Sequence, residues 1–196
     1  MIRALIFDYF GVVRTTGIRA AFVAQGGDLS KDEAFVTDVT IAANYGFITD
    51  ADQQLADKLG ITVAEWRKAL ADMHGNDPIL LAFIAEIHST KLFRTGLLSN
   101  AGPDSLKDYF APGEIEKYFD EAMTSGDTGY AKPEPAFYRL MAEKLGVNPE
   151  ECIMVDDRKE FCLGAERAGM QAIEYRHYSQ FRTDLDAILT KEASQS

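Results

Sequence analysis

Cysteine is nearly absent from this chain of 196 residues, with only Cys152 and Cys162 present. Two such residues exclude a disulfide framework and a cysteine-built zinc site, and they read as buried thiols. Histidine is equally scarce. His74, His88 and His177 are widely spaced, and no pair has the helical spacing of metal ligands. No stretch approaches the run of about 20 apolar residues that a membrane span requires. The apolar start at residues 1–7 is too short for a signal-peptide core, and no small-residue cleavage site follows it. The expectation is a cytoplasmic protein. Basic residues are also in deficit, 20 against 31 acidic ones, for a formal charge of −11. A diffuse negative surface disfavours nucleic acid and anionic membranes as partners. An anionic small molecule remains compatible, because a divalent ion and one lysine can reverse the field inside a single pocket.

Hydrophobic residues make up 46% of the chain, enough for a packed core. Five short apolar runs, at 3–7, 93–98, 121–124, 152–155 and 171–175, lack strict alternation. That pattern belongs to strands covered on both faces, as in a parallel sheet. Helical periodicity fills the intervals. Phe137, Leu140, Met141 and Leu145 form one stripe over 135–145, with Gly146 as a stop. A second helix is expected over 161–168, ended by Gly169. Strands alternating with helices predict an α/β fold, a Rossmann-like doubly wound parallel sheet. Residues 15–85 are too many for one crossover helix, and their pattern is strongly helical. Residues 50–60 form an amphipathic piece, and Thr62 with Glu65 has capping-box spacing before Trp66 and Leu70. The division expected is a core of 1–14 and 86–196 with a small helical cap domain of 15–85. Residues 191–196 read as a disordered tail.

Four polar segments fall at or just after expected strand ends. They are Asp8, Ser99-Asn100, Lys132-Pro133 and Asp156-Asp157. Taken singly, each has a commonplace reading as a cap, a loop pair, a surface turn or a helix start. All four at strand tips of one parallel sheet converge on one crevice. Their chemistry is coherent. A carboxylate can act as nucleophile, a hydroxyl and an amide can hold anionic oxygens, and a lysine can neutralise developing charge. Paired acids beside the nucleophile suit Mg²⁺, which prefers hard oxygen ligands. Tyr45, Phe47 and Trp66 are candidates for a pocket wall, with core packing the commoner use of such residues.

These segments resemble the four signatures of the haloacid dehalogenase superfamily. The resemblance rests on Phe7-Asp8-Tyr9-Phe10-Gly11-Val12, Leu98-Ser99-Asn100, the run from Ala131-Lys132-Pro133 to Tyr138, and Val155-Asp156-Asp157 with Gly164-Ala165 and Ala168-Gly169-Met170. It implies a Rossmann-like core with a helical cap inserted after the first strand. It also implies that Asp8 is a covalent nucleophile and that Ser99 and Asn100 bind substrate oxygens. Lys132 would hold both the nucleophile and the transferring group. Asp157 would ligate Mg²⁺ directly, with Asp156 beside it and the main-chain carbonyl of Phe10 facing the ion.

Two positions depart from the family pattern. Phosphatases of the family usually carry a second aspartate where this chain has Phe10, and Phe161 replaces a frequent polar residue. The dehalogenases carry an aromatic at the first position, but serine and asparagine in place of Asp156-Asp157. The double aspartate favours a Mg²⁺-dependent phosphatase acting on a small phosphomonoester, because a phosphoryl group gains more from a hard ion than a carbon–halogen bond does. A 2-haloacid dehalogenase and a turnover-deficient binding protein are the alternatives.

Overall fold

A computed structural model describes residues 1–194 apart from 16, 45–47 and 74. Tyr45, Phe47 and His74 therefore lie outside the described residues. The strands are β1 (Ala4–Phe7), β2 (Arg14–Thr15), β3 (Gly75–Asn76), β4 (Arg94–Ser99), β5 (Glu121–Thr124), β6 (Cys152–Asp156) and β7 (Gln171–Glu174). The helices are α1 (Ile18–Ala24), α2 (Leu29–Asn44), α3 (Ala51–Leu59), α4 (Val63–Met73), α5 (Pro78–Thr90), α6 (Ser125–Thr128), α7 (Pro135–Leu145), α8 (Lys159–Ala168) and α9 (Tyr178–Ala193).

Five strands form one sheet in the order β5-β4-β1-β6-β7. Every neighbouring pair in it is parallel. Alternate residues of β1 feed opposite layers. Leu5 and Phe7 join a cluster with Ile84 of α5 and Phe181 of α9. Ala4 and Ile6 join one with Phe137 and Met141 of α7 and Ala165 of α8. All four residues of β1 are buried, which explains its unbroken apolar sequence. The chain reverses direction across the sheet at β1, so the crevice beyond its carboxyl end is the topological switch point.

The chain divides into two compact units, Met1–Val13 with Asp77–Ser196, and Arg14–Asn76. Residues 77–85, expected in the cap, thus belong to the sheet-bearing unit. The reason is α5, which buries Leu80, Leu81, Phe83, Ile84 and Ile87. Its start was written in the sequence. Asp77 caps it by accepting from the N–H groups of Ile79 and Leu80 at 2.8 and 3.1 Å, and Pro78 opens the first turn. At the other boundary, the Asp77 N–H donates to the Val13 carbonyl at 2.8 Å.

The Arg14–Asn76 unit is helical, with its own buried cluster around Phe22, Val36, Leu55 and Trp66. Trp66 is core there, and its Nε1 donates to Asp52 at 3.0 Å. The expected capping box forms: the Thr62 N–H donates to Glu65 at 2.8 Å and the Glu65 N–H to Thr62 Oγ1 at 3.2 Å. The β2–β3 pair, Arg14 opposite Asn76, was not visible in sequence because its partners lie so far apart in the chain. No described helix is long and apolar enough to cross a membrane. Both cysteines are free and buried, and burial pushes each thiol up to about 12. The chain end differs from expectation. Helix α9 runs to Ala193, and Glu192 pairs with the Met1 amine at 3.2 Å.

At the amino ends of the strands, Asp120 ties β4 to the turn before β5. Its side chain is 7% exposed and meets Arg94 at 2.8 Å and Lys91 at 3.4 Å. It also accepts from the Thr95 N–H at 2.9 Å. Burial alone would raise its carboxyl, but the Thr95 N–H, Arg94, Lys91 and His88 outweigh this and hold it below the ordinary value. A depressed carboxyl stabilises the fold above its unfolded pKa, and that stabilisation is lost as pH falls through the folded value. Asp120→Asn should therefore cost about 1–3 kcal/mol at pH 7. Urea titrations of both proteins should show the gap narrowing below about pH 4. A gap of constant size would contradict the assignment.

Candidate active site

The polar segments meet at the carboxyl ends of β1, β4 and β6. Asp8 follows β1, Ser99 closes β4, and Asp156 closes β6. Lys132 comes from the loop between α6 and α7, and its Nζ lies 2.7 Å from Asp8 Oδ1 and 2.6 Å from Asp156 Oδ2. The lysine side chain is 1% exposed, so this ammonium is bridged by two carboxylates out of contact with bulk water. The Tyr9 N–H also donates to Asp8 Oδ1, at 2.7 Å. Among the described residues, no donor reaches Asp8 Oδ2. That oxygen is the one left for chemistry.

The carboxylates crowd one another. One oxygen each from Asp8, Asp156 and Asp157 lies within 4.8 Å of the others. Burial pushes the Asp8 carboxyl up to about 7; Lys132 opposes this, while Asp156 and Asp157 add to it. Asp157 stands at an open rim with its carboxylate crowded against the first loop. Desolvation on that side, and then Asp156, raise it to about 6. The two acids of the pair differ in their use. Asp156 Oδ1 accepts from the Arg158 N–H at 2.9 Å and its Oδ2 accepts from Lys132, so both oxygens are engaged.

Gly11 explains how Asp157 comes so close. It holds φ +95, and a Cβ there would lie 2.3 Å from Asp157 Oδ2. Only glycine permits both the backbone conformation and the approach. Sequence reasoning did not single out Gly11. The signal was present as a glycine three residues after the strand-tip aspartate.

Asn100 stands apart from the role expected for it. Its Nδ2 donates to the Lys132 carbonyl at 2.9 Å, and its Oδ1 accepts from the Lys132 N–H at 2.8 Å. The amide thus clamps the lysine's own backbone. Ser99 differs again. Its Oγ is the one buried side-chain polar atom without a hydrogen-bond partner among the described residues. An unpartnered hydroxyl at a strand tip fits a hydrogen bond to an incoming oxygen. Phe10 is 39% exposed, with its ring edge-to-face against Tyr9 at 4.9 Å and Tyr109 at 5.4 Å. Two surface cavities, of about 330 Å³ beside β5 and about 480 Å³ beside β7, contain neither Asp8 nor Lys132. The chemistry places the site at the strand tips and not in either cavity.

Metal fit follows from the donors. Three carboxylates against one ammonium leave a formal charge of −2 when all are ionised. Oxygens on opposite sides of a Mg²⁺ ion lie about 4 Å apart, close to the observed spread. An all-oxygen cluster of that charge and size suits a hard divalent cation.

The family model for haloacid dehalogenase-like hydrolases matches residues 2–169. The chain belongs to this family. It is a hydrolase of the haloacid dehalogenase type, and its relatives favour phosphatase activity. YhcW of Bacillus subtilis (strain 168), which carries a provisional phosphatase name, is 25% identical over 185 residues, covering 88% of this chain and 83% of the relative. Phosphoserine phosphatase of Thermus thermophilus is 33% identical over 93 residues, covering 47% of this chain. The chain spans only 37% of that relative's length, so this likeness is to a part. Among solved structures, the wild-type family enzyme BT-2542 of Bacteroides thetaiotaomicron, complexed with magnesium and inorganic phosphate, aligns with TM-score 0.54 and 20% identity. It covers 90% of this chain and 95% of its own, a likeness that speaks to the fold.

Proposed function

We propose that this protein hydrolyses a small phosphomonoester with Mg²⁺, through an aspartyl-phosphate on Asp8. The observation that carries the reading is the strand-tip cluster: a surplus of two negative charges, one bridged lysine, and an Asp8 oxygen that no described donor reaches. The phosphatase names of relatives and the magnesium and phosphate bound in the BT-2542 structure support it. The substrate class is a small phosphorylated metabolite.

Asp8 Oδ2 attacks phosphorus as the bond to the leaving oxygen breaks. Lys132 fixes Asp8 through its other oxygen and balances charge gathering on the phosphoryl group. Ser99 Oγ donates to a phosphoryl oxygen. Asn100 acts indirectly by clamping the Lys132 backbone, and Asp156 by anchoring the ammonium. Phe10 has no proton to give, so the leaving group departs as an anion and is protonated by solvent. Water then attacks the aspartyl-phosphate, restoring the Asp8 carboxylate and releasing phosphate, with a proton passing to solvent. Asp8, Asp157 and the Phe10 main-chain carbonyl would hold Mg²⁺, with Asp156 alongside, and the ion would draw charge from the phosphoryl oxygens. The Arg14–Asn76 unit, inserted directly after the nucleophile loop, is the part we assign to choosing the substrate.

A panel of phosphorylated metabolites with Mg²⁺, run beside a 2-haloacid panel, tests the reading. Metal-dependent phosphate release supports it. Halide release without metal would replace it with dehalogenation, and ligand binding without turnover of either class would also overturn it. Metal binding gives a separate check. Asp156→Asn should weaken Mg²⁺ binding by about 10–100-fold, as loss of a supporting group does, and Asp157→Asn by more than about 100-fold. Isothermal titration of metal-free protein reads both. Equal losses, or a greater loss at Asp156, would reverse the roles given to the pair.

A further inference from the structure

We propose that Phe161 is a positioning residue for Lys132, its ring face holding the ammonium at the nucleophile where family members often carry a polar side chain. The inference rests on the reading of Lys132 as the group that acts beside Asp8.

A lysine ammonium has three N–H donors. For Lys132, Asp8 and Asp156 take two of them, at 2.7 and 2.6 Å. At 1% exposure, bulk water does not satisfy the third. The ammonium lies over the face of the Phe161 ring, the centroid 4.9 Å from Nζ. That is inside the roughly 6 Å range over which an aromatic face attracts a cation, and the attraction strengthens when both are desolvated. Phe161 is itself buried.

The ring is held in register with the lysine by backbone contacts. Tyr138 Oη donates to the Phe161 carbonyl at 2.8 Å. One turn further on, a Cβ on Gly164 would lie 2.7 Å from the Pro133 carbonyl oxygen and 2.8 Å from Tyr138 Oη. Helix α8 therefore lies directly against the Lys132-Pro133 loop, and Phe161 and Lys132 are fixed to one another. The Arg158 guanidinium packs on the same ring, its Cζ 4.3 Å from the centroid, and pairs with Glu160.

The ring does something a polar residue would not. A carboxylate or amide at 161 would offer a lone pair and compete for the third N–H. An aromatic face attracts the charge without a lone pair, so that proton is not committed before a phosphoryl oxygen arrives. Phe161 thus keeps the Lys132 ammonium centred and available.

Fluorinated phenylalanines placed at 161 weaken the ring face with little change of shape. The primary readout is the ¹⁵N–¹H signal of the Lys132 ammonium in metal-free protein. Its hydrogen exchange should quicken stepwise from phenylalanine to the 4-fluoro, 3,5-difluoro and 3,4,5-trifluoro forms, by about 10-fold across the series. Phe161→Leu should quicken it at least as much and shift the resonance by removing the ring current. Phe161→Tyr, which keeps a ring face, should recover most of that loss. On an active substrate, kcat should follow the same order while KM moves less than about twofold. Should no substrate turn over, the phosphatase reading fails, yet the exchange series still decides the role of Phe161. An exchange rate or kcat indifferent to fluorination would reduce Phe161 to packing and overturn the proposal. A Lys132 resonance unmoved in Phe161→Leu would do the same.

Discussion

Asp8→Asn is expected to lower phosphate release by at least about 10³-fold, because an amide has nearly the shape of a carboxylate but cannot form the covalent intermediate. The fold should survive. The amide oxygen of the variant can still accept from the Tyr9 N–H through the position that Asp8 Oδ1 occupies. Stability in the metal-free protein should even rise. Burial holds the folded Asp8 carboxyl at about 7 against an ordinary 3.8, with Lys132 opposing and Asp156 and Asp157 reinforcing. An acid whose pKa is raised by folding loses stability for the fold as pH climbs between those two values. The advantage of Asp8→Asn over wild type in EDTA should therefore grow from about pH 4 to about pH 7 and then level off. Thermal melts across that range measure it, and steady-state kinetics measure the lost turnover. A variant retaining most of the wild-type rate would remove Asp8 from the mechanism.

The second large effect concerns the leaving group. A general acid typically contributes about 10²–10⁴-fold, and most for poor leaving groups. Phe10 supplies none of this. The wild type should hydrolyse aryl phosphates far better than alkyl phosphates, with kcat/KM falling steeply as leaving-group pKa rises. The missing carboxylate is also missing as a base for water, so rapid mixing should reveal a burst as aspartyl-phosphate accumulates. Phe10→Asp should raise alkyl phosphate hydrolysis by about 10-fold or more while changing aryl phosphate hydrolysis little. The substitution is structurally tolerable. The Phe10 side chain is 39% exposed, and its described ring contacts are edge contacts to Tyr9 and Tyr109. Losing such contacts costs about 1 kcal/mol. A folded Phe10→Asp protein with no gain on alkyl phosphates, or a wild type without leaving-group preference, would mean that another residue delivers the proton.

Much of this was legible in the chain before any fold was known. Two-sided burial leaves the nearly unbroken apolar runs of β1 and β6, while the edge strands β5 and β7 are only partly buried and were read from shorter apolar centres. Helix α7 carried its stripe of Phe137, Leu140, Met141 and Leu145 and its stop at Gly146, and it spans Pro135–Leu145 as expected. Helix α8 begins at Lys159, two residues earlier than its apolar face suggested. The boundary at 85 failed for a definable reason. A helix at a unit border is assigned by what it packs against, and the apolar face of α5 reads the same whether it covers a sheet or other helices.

By itself, the sequence determined which side chains stand at the strand tips, because strand length and the polar residue that ends each strand are local properties. Asp8, Ser99, Asp156 and Asp157 were readable on that basis, whereas Lys132, expected at a strand end, lies in the loop between α6 and α7, beyond the end of β5 at Thr124. Tertiary structure alone decided how they are used. Asn100 clamps the Lys132 backbone 32 residues away, and Lys132 bridges Asp8 to Asp156. Asp157 reaches the first loop only because Gly11 has no Cβ, and Phe161 lies over Lys132 because Gly164 lets α8 close on the Lys132-Pro133 loop. These are contacts between segments distant in the chain, fixed by strand order and backbone approach. No local periodicity encodes them, so the same residues in sequence were compatible with several divisions of labour until the fold chose one.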